Sequence, residues 1–297
     1  MNKMKLKIVL NRGVYLMFAL ATLCSLNSCQ PDEVGVGNGL TDSNVDASFT
    51  VVPVEGAVNK YTLSAQTTNV IASKWDIGEG AFAGKMIETV FFPDAGTYTV
   101  SHTAIGKGGF MNSTSQDIVV ASSDPVAGNI ILGGKFENAT DHGKWTVLNL
   151  SPSGAAKWTF NTGSATIKSS GSWNQEAIYQ SIEVVKDKEY TVDMLVSSLN
   201  GSNETWFEVY VGKTAPTSGV EYKDNKVMGL STWDGCATAA FSGRLSIVGC
   251  VKNDRTKTIS NVVKFAESGT VYFVIRCGGN TFTQSGITVK NIELRGK

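Results

Sequence analysis

The chain has 297 residues, among them 26 basic and 26 acidic side chains and two histidines, so its formal charge is zero with histidine neutral. A balanced charge leaves no electrostatic footprint for nucleic acid, which excludes that class of partner. Charged residues form only 18% of the chain and glycine occurs 31 times, which is typical of β-rich proteins with many turns. The length exceeds what one small β-sandwich uses, so the sequence predicts two domains.

Residues 1–28 predict a signal peptide. Four basic side chains and no acidic one occur there, and the apolar run GVYLMFALATLCSL is too short for a comfortable membrane span. The run leads into SLNSC, which resembles the lipobox of bacterial lipoproteins. That resemblance implies a lipid on Cys29 as the first residue of the mature chain. The alternative is a plain secretory signal with an incidental cysteine.

Residues 29–46 predict a flexible tether, because VGVGNGLTDSNVD is rich in glycine and weakly structured. The stretch QPDE after Cys29 resembles the short acidic export tag of Bacteroidetes lipoproteins, which implies a surface-exposed outer-membrane lipoprotein. Removal of residues 1–28 takes away four of the 26 basic side chains, so 22 basic and 26 acidic residues give the mature chain a net charge of −4. Lipid on Cys29 is then the expected membrane contact.

Beyond residue 46 the sequence predicts an all-β protein of two domains. Short runs that alternate apolar and polar residues, such as TYTVSHTAI, EYTVDMLVS, WFEVYVG and TVYFVIR, are separated by clusters of Gly, Asn, Asp and Ser. The polar stretch ASSDPVAGN at 121–129 contains Pro and Gly without periodicity and predicts the seam. The expected domains therefore span 47–121 and 128–297.

Two segments of domain 47–121 resemble those of the PKD domain. KWDIGEG at 74–80 and FPDAGTYTVSHTAIGKGG at 92–109 match its usual WDFGDG and AGTYTVTLTV. The resemblance implies an immunoglobulin-like β-sandwich with Trp75 in its core, and the glycines after Asp76 permit a turn with positive φ. Domains of this family act as spacers or interaction modules, so no chemistry is assigned here.

The two ends of domain 128–297 resemble those of jelly-roll, galactose-binding-like carbohydrate-binding modules, especially family 4. These ends are GNIILGGKFE and GITVKNIELRG. The resemblance implies a jelly-roll β-sandwich in which the first and last strands lie side by side. Related modules hold a structural calcium between an opening Phe-Glu and an acidic pair in the last strand. Glu137 is present, but Lys290 and Asn291 replace the acids, so calcium is disfavoured and no cofactor is expected.

The strand NETWFEVYVG at 203–212 has two different faces. By period-2 alternation Phe207, Val209 and Val211 form an ordinary core face, whereas two large aromatic residues flank a carboxylate on the other. Sugars present flat patches of C–H groups rimmed by hydroxyls, which suit aromatic rings beside fixed polar groups. Further aromatic and polar side chains come from the strands TVYFVIRCG and EYTVDMLV and from two tryptophans in loops. The residues predicted to bind carbohydrate are Trp206, Glu208, Tyr210, Tyr272, Arg276, Asp193, Trp173 and Trp233.

Ordinary packing is the alternative for these residues. Trp206 would then cover the rim of the core, with Glu208 solvated, because large aromatic residues on strands are more often packed than exposed. Trp173 and Trp233 would anchor their loops, and the closeness of Trp233 to Cys236 in the sequence favours that role for it.

Three cysteines lie beyond Cys29. Cys236 and Cys250 bracket a loop of modest length and are the preferred disulfide pair, which leaves Cys277 as a buried thiol in an apolar strand. The odd count leaves other pairings open, and no CxxC spacing indicates a metal.

The motifs do not predict an enzyme. His102 and His142 have no Ser, Cys or metal partners that the sequence can assign, and HExxH, GxSxG and P-loop spacings are absent. A glycosidase needs two matched carboxylates, for which Glu208 with Asp193 or Glu204 is the available pairing.

The whole arrangement resembles the surface glycan-binding lipoproteins of Bacteroidetes polysaccharide-utilisation systems, in which a tether and an immunoglobulin-like spacer carry a terminal binding module. The resemblance implies capture of a polysaccharide or oligosaccharide without cleavage, in company with an outer-membrane glycan transporter. A β-glucan ligand is implied by the likeness to family 4 alone. The alternatives are an adhesive or structural lipoprotein whose jelly roll binds a protein partner, and a glycoside hydrolase.

Overall fold

A computed structural model of the chain describes residues 45–67, 69–151, 154–169, 173–281 and 285–297. The predicted signal peptide, Cys29 and all but the last two residues of the predicted tether lie outside the described residues. Among the described residues, no helix is both long and apolar enough to cross a membrane.

The described residues divide into two compact units. The first takes the residues up to Glu55, Lys60–Val90 and Thr97–Ile118, and the second takes Gly56–Asn59, Phe91–Gly96 and Val119–Lys297. Both units are built almost wholly from antiparallel strands, as the alternating runs predict.

The first unit is an immunoglobulin-like sandwich of two sheets. One sheet has the order β1-β2-β5 and the other β4-β3-β6-β7. The strands are β1 (Phe49–Pro53), β2 (Lys60–Ala65), β3 (Val70–Asp76), β4 (Phe82–Gly84), β5 (Ile87–Phe91), β6 (Gly96–Gly106) and β7 (Met111–Val120).

Trp75 is at the centre of this first core, where it is fully buried. Its ring meets Phe49 edge-on at 5.2 Å between centroids and stacks on His102 at 4.3 Å. His102 Nε2 lies 2.5 Å from Ser73 Oγ and its Nδ1 lies 2.9 Å from the Ala47 carbonyl oxygen, so both ring nitrogens have partners. A buried histidine with both nitrogens engaged contributes to packing, and this site has no access to a substrate.

The WDIGEG segment forms the tight turn that its glycines predict. The Asp76 carboxylate accepts hydrogen bonds from the backbone N–H groups of Gly78 at 2.8 Å and Gly80 at 3.2 Å. Both glycines have φ of +102°, a conformation that disfavours side chains.

The second unit is a jelly-roll sandwich. Its six-stranded sheet has the order β15-β12-β18-β10-β9, with β16 also paired to β12, and its five-stranded sheet has the order β14-β13-β17-β11-β8. The elements are α1 (Ala139–His142), β8 (Thr146–Asn149), β9 (Ala156–Asn161), β10 (Ser164–Ser169), β11 (Asn174–Val184), β12 (Glu189–Ser198), β13 (Asn203–Gly212), β14 (Lys226–Ser231), β15 (Phe241–Arg244), α2 (Leu245–Val248), β16 (Val262–Lys264), β17 (Gly269–Thr281) and β18 (Ile287–Gly296).

The core of the second unit lies between its two sheets. Phe207, Val209 and Val211 of β13 are fully buried there, as their alternation predicts, and Cys277 is a free buried cysteine. The opening segment runs beside β18, where the Ile130 N–H donates to the Leu294 carbonyl oxygen at 3.0 Å. The first and last segments of the unit are therefore neighbours, as the jelly-roll resemblance implies.

Candidate functional site

The outer face of the five-stranded sheet, which points away from the core, holds most of the predicted site residues. The pairing of β13, β17 and β11 places Trp206 opposite Gly278 and Gly278 opposite Gln175, so these three residues form one row across the sheet. In the next row Glu208 lies opposite Arg276. The two rows differ in their surroundings.

Three tryptophans come together at the end of the first row, and we call them the tryptophan platform. Trp173 directly precedes β11, Trp206 lies on β13 and Trp233 follows β14. Their ring centroids are 6.5 Å apart for Trp173–Trp206, 6.2 Å for Trp173–Trp233 and 6.2 Å for Trp206–Trp233, with interplanar angles of 15°, 23° and 37°. Trp173 and Trp233 are 57% and 58% exposed, and Trp206 is half-buried beside them.

Gly278 allows the Trp206 ring to lie across the sheet. A Cβ at position 278 would lie 2.5 Å from Trp206 Cζ2 and 2.6 Å from Gln175 Cβ, distances that side chains do not tolerate. Glycine is therefore required where the indole crosses β17. The alternation of β13 predicts which face Trp206 is on, but the role of Gly278 depends on the pairing of strands far apart in sequence.

Trp233 is held by a tight turn and a disulfide. The N–H groups of Asp234 and Cys236 both donate to the Ser231 carbonyl oxygen at 3.2 Å. Cys236 forms a disulfide with Cys250, which is the pair that the sequence favours. The loop that carries Trp233 is thus tied at its base, which restricts the positions that the exposed indole can take.

In the described residues, four buried side-chain nitrogen or oxygen atoms have no hydrogen-bond partner. Two of these atoms belong to the first row. They are Trp206 Nε1 and Gln175 Oε1. The other two atoms of this kind are Ser202 Oγ and Arg276 Nε. Buried donors and acceptors in native structures are nearly always paired, so these two atoms beside the exposed indoles are free to bond a further polar group.

The second row, Glu208 and Arg276, is the centre of a group of polar and ionic side chains that we call the charge cluster, which also includes Tyr210, Glu221 and Lys226. Arg276 donates through Nη1 to Glu221 at 2.5 Å and through Nη2 to Glu208 and, at 2.8 Å, to the Tyr210 hydroxyl. The Tyr210 hydroxyl donates to Glu208 at 2.6 Å, and Lys226 Nζ lies 3.3 Å from Glu208. Both Nη atoms of Arg276 are therefore bonded within the cluster, and only its Nε lacks a partner.

Burial and the neighbouring positive charges oppose each other in setting the pKa of Glu208, whereas burial and the Glu208 carboxylate act together on the pKa of Tyr210. Burial alone raises the pKa of Glu208, but Arg276, the Tyr210 hydroxyl and Lys226 outweigh it and hold that pKa below its ordinary value. Burial and the Glu208 carboxylate raise the pKa of Tyr210. Glu208 is thus ionised and Tyr210 is neutral near pH 7.

The loop of residues 213–225, which we call the strap, covers the charge cluster. It leaves the end of β13 and reaches β8, where the Gly219 N–H donates to the Asn149 carbonyl oxygen at 2.9 Å, before it returns to β14. Tyr222 of the strap is buried and meets Tyr210 edge-on at 5.6 Å. The strap leaves Tyr210 only 3% and Arg276 only 5% exposed. The predicted open binding surface at Tyr210 and Arg276 is therefore wrong, and Glu208 belongs to the same covered cluster.

Tyr272 and Asp193 do not join the tryptophan platform. Tyr272 is on the outer face of β17 but near its other end, 6.3 Å from the ring of Tyr179. Asp193 lies on β12 in the six-stranded sheet, where its carboxylate accepts from Ser246 Oγ at 2.7 Å and lies 3.6 Å from Arg244 Nη1. Alternation correctly shows that Asp193 avoids the core, but it cannot say which sheet a strand joins.

The platform has the geometry of a stacking surface. Its rings lie within 37° of parallel. Enclosure of a cation by an aromatic cage needs ring faces that converge on one point from different directions, whereas near-parallel rings suit flat ligands with C–H faces. Within the described residues, no group of three or more His, Cys, Asp or Glu side chains could hold a metal ion.

Several solved structures are similar to the chain. A structure of carbohydrate-binding modules from the β-sandwich superfamily is 14% identical, with 84% of this chain and 97% of that chain covered and a TM-score of 0.33. A family 4 carbohydrate-binding module is 13% identical, with coverage of 56% and 99% and a TM-score of 0.28. A Bacteroides uniformis β-glucuronidase is 11% identical, with coverage of 84% and 28% and a TM-score of 0.21. Similarity at this level identifies neither a ligand nor an activity. The sequence matches no protein-family model and no curated protein.

Proposed function

We propose that this protein binds a polysaccharide on the tryptophan platform and releases it uncleaved. The platform carries the proposal: two largely exposed indoles from loops and a third from β13 form one surface beside unpartnered polar atoms. Exposed tryptophan is costly in water unless a ligand covers it. Pyranose rings offer the C–H faces for stacking and the hydroxyls for the polar atoms.

The charge cluster does not supply glycosidase chemistry. A hydrolytic general acid needs a raised pKa and a second carboxylate across an open cleft. The pKa of Glu208 is held below its ordinary value, and the side chain is bonded to Arg276 beneath the strap. Binding without turnover is therefore the activity that these residues support.

Titration of the purified protein with soluble polysaccharides, followed by tryptophan fluorescence and calorimetry, tests the proposal. The panel contains mixed-linkage β-glucan, xylan, galactan and galactomannan, since the sugar and its linkage are open. Trp206→Ala should weaken binding at least about thirtyfold, the loss expected when a central aromatic contact of about 2 kcal/mol is removed. Tyr272→Ala is the matched control, because it removes an aromatic ring from the same outer face away from the platform, and it should bind as wild type.

The outcomes separate the candidate functions. A loss of binding in Tyr272→Ala with none in Trp206→Ala would move the site to the other end of the sheet. Shortening of the glycan during incubation, seen by size-exclusion chromatography, would restore the hydrolase alternative. Failure to bind any polysaccharide would contradict the proposal and favour a protein partner for the platform.

We also propose that the protein acts at the cell surface as an outer-membrane lipoprotein, which rests on the lipobox resemblance at Cys29 and the QPDE stretch that follows. Metabolic labelling with a palmitate analogue should mark the wild type and leave Cys29→Ala unlabelled. Protease treatment of intact cells should degrade a surface-exposed protein. Labelling of Cys29→Ala would contradict lipidation at Cys29. Full protection from protease would contradict exposure at the cell surface.

A further inference from the structure

We propose that Trp206 Nε1 and Gln175 Oε1 together bind one sugar hydroxyl, so that the platform selects neutral sugars over uronic acids and amino sugars. This inference rests on the proposed function, because it names the ligand chemistry of the same site. It assigns Gln175, which alternation alone does not single out, as a residue that determines specificity.

The two atoms belong to neighbouring side chains. A single point above Gly278, where a Cβ would be, lies 2.5 Å from Trp206 Cζ2 and 2.6 Å from Gln175 Cβ. The indole and the amide side chain therefore meet over that glycine. Both Nε1 and Oε1 are shielded from water and have no hydrogen-bond partner. One donor and one acceptor thus remain unused on two side chains that meet over Gly278.

The chemistry of the two atoms restricts the group that satisfies both. An indole N–H only donates a hydrogen bond, and an amide oxygen only accepts one. A hydroxyl does both, so it can accept from Trp206 and donate to Gln175 at once. A carboxylate only accepts and an ammonium group only donates, so a uronic acid or amino sugar that presents its charged group at this point would leave one of the two protein atoms unsatisfied.

The charges around the platform also disfavour anionic sugars. Arg276 and Lys226 of the outer face are already committed to ion pairs within the charge cluster. Two carboxylates lie close to the platform in the chain: Glu204, which accepts from Asn280 Nδ2 at 2.6 Å, and Asp234, which directly follows Trp233. A uronic acid bound at the platform would be repelled by these carboxylates.

Entry of a hydroxyl requires one side chain to move. Trp173 is the best placed, because its ring stacks on Trp206 while more than half of its surface is exposed. A loop indole held by stacking is displaced at less cost than a strand residue. The Trp173 ring then moves from Trp206 onto the sugar, and Trp206 Nε1 and Gln175 Oε1 gain the sugar hydroxyl as their partner.

The experiment compares each polysaccharide with a charged derivative of the same polymer. Mixed-linkage β-glucan and galactomannan are used as such and after oxidation of their C6 hydroxyls to carboxylates, and chitosan at pH 6 provides an amino-sugar polymer. Three variants accompany the wild type: Trp206→Phe, which keeps a ring and loses the N–H; Gln175→Met, which keeps the length and loses the acceptor; and Tyr272→Phe, the matched control that keeps a ring and loses a hydroxyl on the same outer face away from the platform. Near-UV circular dichroism and thermal unfolding check that each variant keeps its fold.

Wild-type protein should bind a neutral polymer at least about tenfold more tightly than its oxidised form and than chitosan, as expected when buried polar atoms lose their partners. Trp206→Phe and Gln175→Met should each lose about five- to tenfold in affinity for the neutral polymer, and Tyr272→Phe less than about threefold. Equal binding of neutral and oxidised polymers, or wild-type affinity in Trp206→Phe and Gln175→Met, would overturn this inference while the proposed function stands. Absence of wild-type binding to every polymer would overturn both.

Discussion

The tryptophan platform and the charge cluster lie on the same face of one sheet, one row apart, and they are in opposite states. In the charge cluster Arg276 is bonded to Glu208, Tyr210 and Glu221 and is covered by the strap. In the platform two indoles are exposed and the polar atoms beside them are unpartnered. The comparison shows that aromatic and ionic residue types do not by themselves mark a binding face. What distinguishes the platform is exposed aromatic surface beside unpaired polar atoms, whereas the unpaired Arg276 Nε of the charge cluster is covered by the strap.

If this distinction is correct, variants of the charge cluster should change stability, and variants of the platform should change binding. Arg276→Met should have the largest effect, because it leaves Glu208 buried without its main partner. We expect the free energy of unfolding to fall by about 3–5 kcal/mol, measured by guanidinium denaturation. Arg244→Met is the matched control: that arginine is 54% exposed and pairs with Asp193 at 3.6 Å, so its loss should cost less than about 1 kcal/mol. Equal losses in the two variants would contradict the structural role of the charge cluster.

Loss of the Cys236–Cys250 disulfide should lower both the stability of the protein and its affinity for the glycan, because the disulfide holds the loop that carries Trp233. The bond joins two residues that are 14 positions apart in the sequence, and its removal in Cys236→Ser/Cys250→Ser should lower the free energy of unfolding by about 2–4 kcal/mol. Glycan affinity should also fall, because Trp233 is no longer held in place. Dithiothreitol should reproduce both losses in the wild type and change nothing in the double variant. Unchanged affinity in the double variant would mean that the turn at Ser231 is sufficient to position Trp233.

Glu208→Gln tests the charge cluster through pH. In the folded protein the pKa values of Glu208 and Glu221 lie below their ordinary values, so the folded state binds fewer protons than the unfolded state in acid. Their contribution to stability is therefore present above about pH 4.3, the ordinary glutamate value, and is lost as the pH falls below it. Glu208→Gln should lower stability by about 1–3 kcal/mol at pH 7 and should flatten the acid dependence. Glycan affinity at pH 7 should stay within about twofold of wild type. An acid dependence as steep as that of wild type would exclude Glu208 as its source.

Trp173→Ala should have the smallest effect on stability. The indole is 57% exposed, so we expect the free energy of unfolding to change by less than about 0.5 kcal/mol. Affinity should fall at least about fivefold, the equivalent of about 1 kcal/mol of lost stacking, measured by calorimetry with the polysaccharide that the wild type binds. Destabilisation without loss of affinity would show instead that Trp173 anchors its loop.

Local pattern predicted the faces of individual strands well. The buried face of β13 and the turn at Asp76 are where alternation and glycine placement put them, because both depend on a few neighbouring residues. The prediction that Tyr210 and Arg276 lie on an open surface was wrong at both residues for the same reason. The residues that cover them, chiefly Tyr222 and Glu221 of the strap, come from a loop whose path across the sheet no periodicity describes.

By itself, the sequence determined that this is an all-β protein of two sandwiches, and it marked the three tryptophans as candidate sugar contacts. Only the tertiary structure decided that Trp173, Trp206 and Trp233 meet, that Gly278 and Gln175 complete their row, and that Asp193 lies on another sheet. The physical reason is that alternation records which side of a strand avoids water, a local property. Strand pairing and loop paths depend on the packing of distant segments, so the neighbours of an outward side chain are known only once the sheets are assembled.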